Sequence, residues 1–310
     1  MTRYFQILVS ENMPSNLPAN TLIINEFSKI QNLLGQEFET ILFDARKGIH
    51  LEALAIAAGT LKMNGALIVL LSNWEKLHFQ IDEDSLRWSG SLEAITTPRF
   101  IAYFKHCIHK YGFPVLYHQN DLKFDRTFQR EFVNHNATLD QQKIIERILQ
   151  KESELYFLTA KRGRGKSALA GLLANQLDTK IYLTAPNKSA VNILGEFSQK
   201  EIIFIAPDAL FLALQNDPSF SENAWLFVDE AAMLPIAQLT AFSHHFKHIL
   251  FTTTIHSYEG TGRGFELKFK QKINRTFSDF ELIEPLRWSK DDALEAFIDE
   301  LLLLNVEDEF

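Results

Sequence analysis

A chain of 310 residues, 46% hydrophobic and 23% charged, is long enough to bury two cores and carries no bias toward disorder. Its formal charge of -8 excludes a protein that grips nucleic acid by bulk positive field, so any such contact has to be a local basic channel on an acidic body. The single cysteine, Cys107, excludes a disulfide framework and reads as a small buried side chain in a reducing compartment.

No stretch approaches the roughly 20 apolar residues of a membrane span, and residues 1–10 lack the basic and apolar blocks of a signal peptide. The expectation is a cytoplasmic protein with no membrane partner, and nothing in the pattern specifies an oligomer.

From Phe5 to about Tyr117, short apolar runs alternate with helical patterns: Gln6–Val9, Leu22–Ile24, Thr40–Phe43, Ala66–Leu71 and Pro114–Tyr117. Continuously apolar strands joined by helical crossovers predict a parallel sheet. The Ala- and Leu-rich stretch from His50 to Met63 reads as one crossover helix, with Asn64-Gly65 as its C-cap. No phosphate-binding glycine pattern follows any of these strands, so this half receives no cofactor site.

A polar stretch, Asn134 to Ala137, then precedes Thr138, which is placed to cap a helix with Ile144, Ile145, Ile148 and Leu149 at helical spacing. The strands Leu155–Thr159, Lys180–Thr184, Glu201–Ile205, Trp225–Val228 and His248–Thr253 predict a second parallel α/β sheet. The fold class is therefore α/β with two parallel-sheet domains. They are a Rossmann-like domain over residues 1–130 and a RecA-like P-loop NTPase domain over residues 131–310.

The second domain carries the chemistry. After the strand Leu155–Thr159 comes Ala160-Lys161-Arg162-Gly163-Arg164-Gly165-Lys166-Ser167 and then a helical run, the strand-loop-helix context of a P-loop. Gly163 and Gly165 let the backbone curl so that its N–H groups and the helix N-terminus face phosphates. Gly163, Arg164, Gly165, Lys166, Ser167 and Ala168 are the ATP-binding candidates, with Lys166 on the β- and γ-phosphates and Ser167 on Mg²⁺. Ala160 stands where the pattern has its first glycine, which predicts φ below zero there.

Downstream, Trp225-Leu226-Phe227-Val228 empties into Asp229-Glu230, a Walker B arrangement. Asp229 is the second candidate Mg²⁺ ligand, and Glu230 the candidate base that orients and deprotonates the attacking water. Weaker features follow helicase order. Gln141 lies where such enzymes place a glutamine that reads adenine, although Thr138-Leu139-Asp140-Gln141 is equally a helix start. Leu183-Thr184-Ala185-Pro186 resembles a strand-touching helicase motif or a plain turn. Thr252-Thr253-Thr254 offers hydroxyls beside the phosphates or simply a β-prone run. Gly260 to Gly264 could present Arg263 to phosphate or be only a turn. Arg287, after the apolar strand Phe280–Ile283, could meet the γ-phosphate or pair with Glu284.

His244, His245, His248 and His256 lack a cysteine or carboxylate at zinc spacing and are assigned no metal. Trp74, Trp88, Phe100 and Tyr103 read as core or rim aromatics rather than base-stacking platforms.

The wording of these motifs resembles the bacterial tRNA(Met) cytidine acetyltransferases. The likeness rests on TAKRGRGKSALAG (Thr159–Gly171), LFVDEAAMLP (Leu226–Pro235), YEGTGRGF (Tyr258–Phe265) and EPLRW (Glu284–Trp288). It extends into the first half through Phe43-Asp44-Ala45-Arg46, Glu52-Ala53-Leu54-Ala55 and Gly59-Thr60-Leu61. The resemblance implies an enzyme that uses ATP to open or position the anticodon stem-loop of elongator tRNA(Met), its RNA partner. It then acetylates N4 of the wobble cytidine from acetyl-CoA. The family's acetyltransferase domain finds no room before Phe310, so acetyl-CoA is expected only with a further domain. The residues also fit a general nucleic-acid-stimulated ATPase, or a nucleotide-binding scaffold without activity.

Overall fold

The computed structural model describes residues 3–33, 36–124, 136–254, 268–286 and 288–304. It divides into two units, one of Met1–Glu131 with Arg287–Phe310 and one of Phe132–Leu286. No helix among the described residues is long and apolar enough to cross a membrane.

In the first unit, β1 (Tyr4–Val9), β2 (Leu22–Ile24), β3 (Phe38–Asp44), β4 (Leu61–Leu71) and the later strand Val115–Leu116 form one sheet. The order is β2, β3, β4, β1, then Val115–Leu116, and every pairing is parallel. The central strands are covered on both faces: Ile7, Ile41, Leu42, Phe43 and the whole run Leu67–Leu71 are buried. This is why they read as unbroken apolar runs. The crossover α1 (Leu51–Thr60) is buried from Ala53 through Thr60, and its alanines let it lie close to the sheet.

Asn64-Gly65 does not cap that helix, as the sequence suggested. The helix ends at Thr60, and Leu61 already pairs with Phe38 in β4, while the next register pair is Thr40 with Ala66. The intervening residues form a bulge in which Asn64 adopts φ +59. A Cβ on Gly65 would lie 2.8 Å from the Glu39 carbonyl oxygen and 2.9 Å from that of Lys62, so only glycine fits. Helix caps and bulges demand the same two residue types, and the choice is made by the neighbouring strand.

The last helix, Ala293–Leu301, also departs from expectation, because residues 287–310 group with the first unit rather than with the second. Phe297 packs its ring against Phe5, Phe104 and Phe113. Tyr103 donates to the Glu300 carbonyl at 2.7 Å, and Lys110 and Tyr111 both reach the Glu300 carboxylate. At the head of the helix, Asp292 accepts from the Glu295 N–H as an N-cap and holds Arg3 through two hydrogen bonds of 3.1 and 2.6 Å. Both side chains of that pair are 1% exposed. Arg3 further donates to the Ala58 carbonyl and lies 3.9 Å over the Trp288 ring.

In the second unit, β8 (Leu155–Ala160), β9 (Lys180–Thr184), β10 (Ile203–Phe204), β11 (Ala224–Val228), β12 (His248–Thr254) and β13 (Phe277–Leu282) form a parallel sheet; numbers β5 to β7 belong to Ile81–Asp82, Ile95–Thr96 and Val115–Leu116. The order is β10-β9-β11-β12-β8-β13, so β12 lies between the P-loop strand β8 and the acidic strand β11. One face buries Tyr156, Leu158, Ile181, Leu183, Trp225 and Phe227. The opposite face buries Leu155, Phe157, Leu226, Val228, Ile249 and Phe251. This is the RecA-like architecture expected, with its strand C-termini at one edge.

Replacing Asp292 by alanine strands a buried guanidinium and removes a helix cap. The expected loss is about 3–5 kcal/mol in urea unfolding monitored on the first unit. The double variant Arg3→Met/Asp292→Leu should recover most of it except the cap's roughly 1 kcal/mol.

Candidate nucleotide site

The P-loop begins where β8 ends. Ala160 closes the strand in extended backbone and is absent from the positive-φ residues, as its side chain requires. Gly163 and Gly165 take φ of +72 and +81. Gly165 is the N-cap of the helix Lys166–Gln176, so Lys166, Ser167 and Ala168 form that helix's first turn. The turn presents the unpaired N–H groups and positive dipole end suited to an anion.

Lys166 is buried, and its ammonium donates to Thr254 Oγ1 at 2.9 Å. The Thr254 hydroxyl in turn donates to Glu230, with oxygen distances of 2.8 and 3.0 Å, and the Thr254 N–H reaches Glu230 Oε2 at 3.2 Å. Lys166 Nζ and Glu230 Oε1 are 3.8 Å apart. The P-loop lysine and the candidate base are thereby joined through one hydroxyl on the intervening strand β12.

Asp229 extends the β11 ladder, donating its N–H to the Thr184 carbonyl at 2.9 Å, and its carboxylate accepts from the Thr252 hydroxyl. Thr252 and Thr254 occupy alternate positions of β12, which puts both on one face. The Thr252–Thr254 run thus contributes two hydroxyls to the site. The Thr253 hydroxyl, like that of Thr184, is buried and has no hydrogen-bond partner.

The chain turns sharply after Asp229. Glu230 adopts φ +48, ψ +49, a left-handed conformation that costs a side-chain-bearing residue about 1–2 kcal/mol. The turn aims its carboxylate back at Thr254. Strain of this kind persists where the surroundings over-determine it, here through three hydrogen-bond contacts and the nearby ammonium.

The two carboxyls differ in acidity. Burial and the adjacent Glu230 charge raise Asp229 above the usual carboxylate range, against the pull of the Thr252 hydroxyl. Burial also opposes ionisation of Glu230, but Lys166, the Thr254 hydroxyl and Arg162 outweigh it and hold Glu230 below its ordinary value. Glu230 is thus a stable carboxylate, and Asp229 an anion held at a cost that a cation would relieve.

Gln141 has a different duty from the one foreseen. It is 2% exposed, accepts from the Thr138 N–H at 2.9 Å and donates from Nε2 to the Gly165 carbonyl at 3.1 Å. The capping box with Thr138 is complete. Its amide ties the helix Leu139–Leu149 to the P-loop. Arg164 is likewise turned inward, donating to the Ile283 carbonyl at 3.0 Å and to that of Arg162 at 3.0 Å. On the same side, the Leu286 N–H donates to the Gly163 carbonyl at 2.8 Å. Leu286 was not singled out from the sequence, where it is one apolar residue in a polar stretch. Arg287, Arg263 and the loop Gly260 to Gly264 lie outside the described residues.

The donor set fits a magnesium nucleotide. A hydroxyl at Ser167 and a carboxylate at Asp229 are the hard oxygen ligands that Mg²⁺ prefers. The ammonium of Lys166 and the helix N-terminus suit phosphate.

Two family models match the chain. The helicase domain described as RNA cytidine acetyltransferase NAT10/TcmA covers residues 157–305, and the N-terminal domain of tRNA(Met) cytidine acetyltransferase TmcA covers residues 6–119. A tRNA(Met) cytidine acetyltransferase TmcA from Haemophilus influenzae is 61% identical over 313 aligned residues, taking in 100% of this chain and 48% of that protein. Another from Haemophilus ducreyi is 39% identical over 97% of this chain and 51% of its own length. The chain spans about half the length of the curated relatives it matches. Among solved structures, the UvsW helicase from Bacteriophage T4 overlaps 64% of this chain and 86% of that one, at 10% identity and a TM-score of 0.36, and adds nothing to the strand order above.

Two stability measurements separate the carboxyls. A group whose folded pKa is raised is destabilising when ionised, so Asp229→Asn should raise the melting temperature at pH 7. The gain should vanish as pH falls below about 4, where the unfolded carboxyl also protonates. Glu230 has the opposite sign. Its stabilisation is present above its unfolded pKa and lost as pH falls through the lower folded value, so Glu230→Gln should melt earlier at pH 7. Thermal melts across pH 3–8 check both signs.

Proposed function

Since the chain belongs to the tRNA(Met) cytidine acetyltransferase family and carries its N-terminal and helicase domains, we propose that its second unit binds and hydrolyses ATP to remodel or position the anticodon stem-loop of a tRNA, in the cytoplasm. The observation that carries this reading is the chain Lys166–Thr254–Glu230 beside Asp229, at the C-terminal ends of adjacent strands. Ligands of open parallel sheets enter at that edge.

In this mechanism Lys166 exchanges Thr254 for the β- and γ-phosphates, and the N–H groups of the first helical turn hold the remaining oxygens. Glu230, already ionised, orients a water and takes its proton. Thr254 moves with the γ-phosphate because its hydroxyl bonds both the lysine and the base. Ser167 and Asp229 would hold Mg²⁺, whose positive charge offsets the charge that develops on the phosphoryl oxygens. Arg287 is the proposed further cation for that charge. Transfer of an acetyl group from acetyl-CoA to the wobble cytidine is proposed for the whole family enzyme.

The partner follows from the H. influenzae and H. ducreyi relatives, named for tRNA(Met). On a body of charge -8, tRNA contact is confined to a local surface.

Phosphate release should fall at least about 100-fold in Lys166→Ala and in Glu230→Gln. Unchanged turnover in both would sink the ATPase reading. Elongator tRNA(Met) should stimulate turnover more than another tRNA or duplex DNA does. An equal response to all three would instead favour a general nucleic-acid-stimulated ATPase.

A further inference from the structure

Leu286 closes the second unit at its boundary with the first, and it does so on the back of the phosphate loop. Its N–H donates to the Gly163 carbonyl at 2.8 Å. Its side chain covers Gly165 so closely that a Cβ there would meet Leu286 Cδ1 at 2.5 Å. Three residues earlier, the Ile283 carbonyl accepts from Arg164 Nε at 3.0 Å. Gly163, Arg164 and Gly165 are therefore each tied to the segment Ile283–Leu286.

Two residues beyond Leu286 stands Trp288, equally fixed but within the first unit. It is 5% exposed, its indole N–H donates to Glu295 at 2.7 Å, and Arg3 lies over its ring. Arg3 is locked in turn by Asp292 and the Ala58 carbonyl. Two residue steps span at most about 7 Å, so the chain from Leu286 to Trp288 has little slack.

The loop's peptide groups place their N–H bonds toward the phosphate side, and the carbonyls of the same linkages lie on the back. When a nucleotide draws those N–H groups in, the carbonyl of Gly163 turns with them, and Leu286 is hydrogen-bonded to it.

We infer that Leu286 is a positioning residue for the nucleotide reaction, backing the phosphate loop and passing its ligand-dependent movement through residue 287 to Trp288 and the first unit. The inference rests on the nucleotide reading above. It assigns the EPLRW segment a mechanical role apart from any charge that Arg287 carries. Packed anchors at both ends transmit a displacement because each has one well-defined arrangement and a high cost of leaving it.

The test uses the full chain labelled with 5-fluorotryptophan, which gives one fluorine resonance for each of its four tryptophans. Trp288→Phe assigns the resonance of interest, and a separate titration with a fluorescent ATP analogue measures binding. A saturating non-hydrolysable ATP analogue with Mg²⁺ should shift the Trp288 resonance while that of Trp74 stays in place. Leu286→Pro removes the N–H donor, and two glycines inserted after Arg287 leave both anchors intact but slacken the connection. Both variants should bind nucleotide within about tenfold of the unaltered chain, since at most one hydrogen bond is lost, and neither should show the Trp288 shift.

A stationary Trp288 resonance with nucleotide bound overturns the inference, as does an equal shift in the glycine-insertion variant. Failure of the titration itself to detect binding overturns the nucleotide reading and takes this inference with it.

Discussion

The second unit is organised around a positive charge kept out of water. An ammonium as buried as that of Lys166 requires compensation, and its surroundings supply a hydroxyl on β12 and a carboxylate beyond β11. That requirement explains the strand order at the site. With β12 between the P-loop strand and the acidic strand, Thr252 and Thr254 reach one carboxyl each, and Thr254 reaches the lysine as well. The left-handed turn at Glu230 belongs to the same solution, because an ordinary continuation of β11 would carry the carboxylate away from Thr254.

The back of the loop is built with equal care. Gly163 and Gly165 supply the left-handed backbone, but glycines alone do not hold a conformation. The Gly165 carbonyl is held by Gln141 and that of Gly163 by Leu286, while Arg164 grips the Ile283 carbonyl. Pre-organisation of the anion site thus comes from side chains and amides that face away from it, which removes ordering cost at the moment of binding.

Legibility in the sequence followed locality. The P-loop and Asp229-Glu230 were readable because their chemistry is contained in consecutive residues next to a strand, and strands buried on both faces announce themselves as apolar runs. Three features were not readable, each for a physical reason. Gln141 was spelled both as a capping box and as an adenine reader, and only the position of Gly165 shows where its amide points. Asn64-Gly65 suited a helix cap and a bulge alike, and the approach of Glu39 decided it. The allegiance of Asp292 to Arg3 joins residues nearly a whole chain apart, and no local pattern encodes that distance. Arg164 reads as a phosphate contact from its place between two glycines, yet the neighbouring carbonyls claim its side chain.

The return of residues 288–304 to the first unit makes that unit discontinuous, with the nucleotide-binding unit inserted between its parts. Synthesis on the ribosome proceeds from the amino end, so Arg3 emerges long before Asp292 and Phe5 long before Phe297. The inserted unit has all six of its strands in hand once Leu282 is made, whereas the unit that begins the chain still lacks its closing helix. The later domain is therefore equipped to fold first, and the earlier one must wait with an unpaired arginine and an uncovered aromatic cluster. That interval is when the nascent chain is most exposed to aggregation and to chaperones.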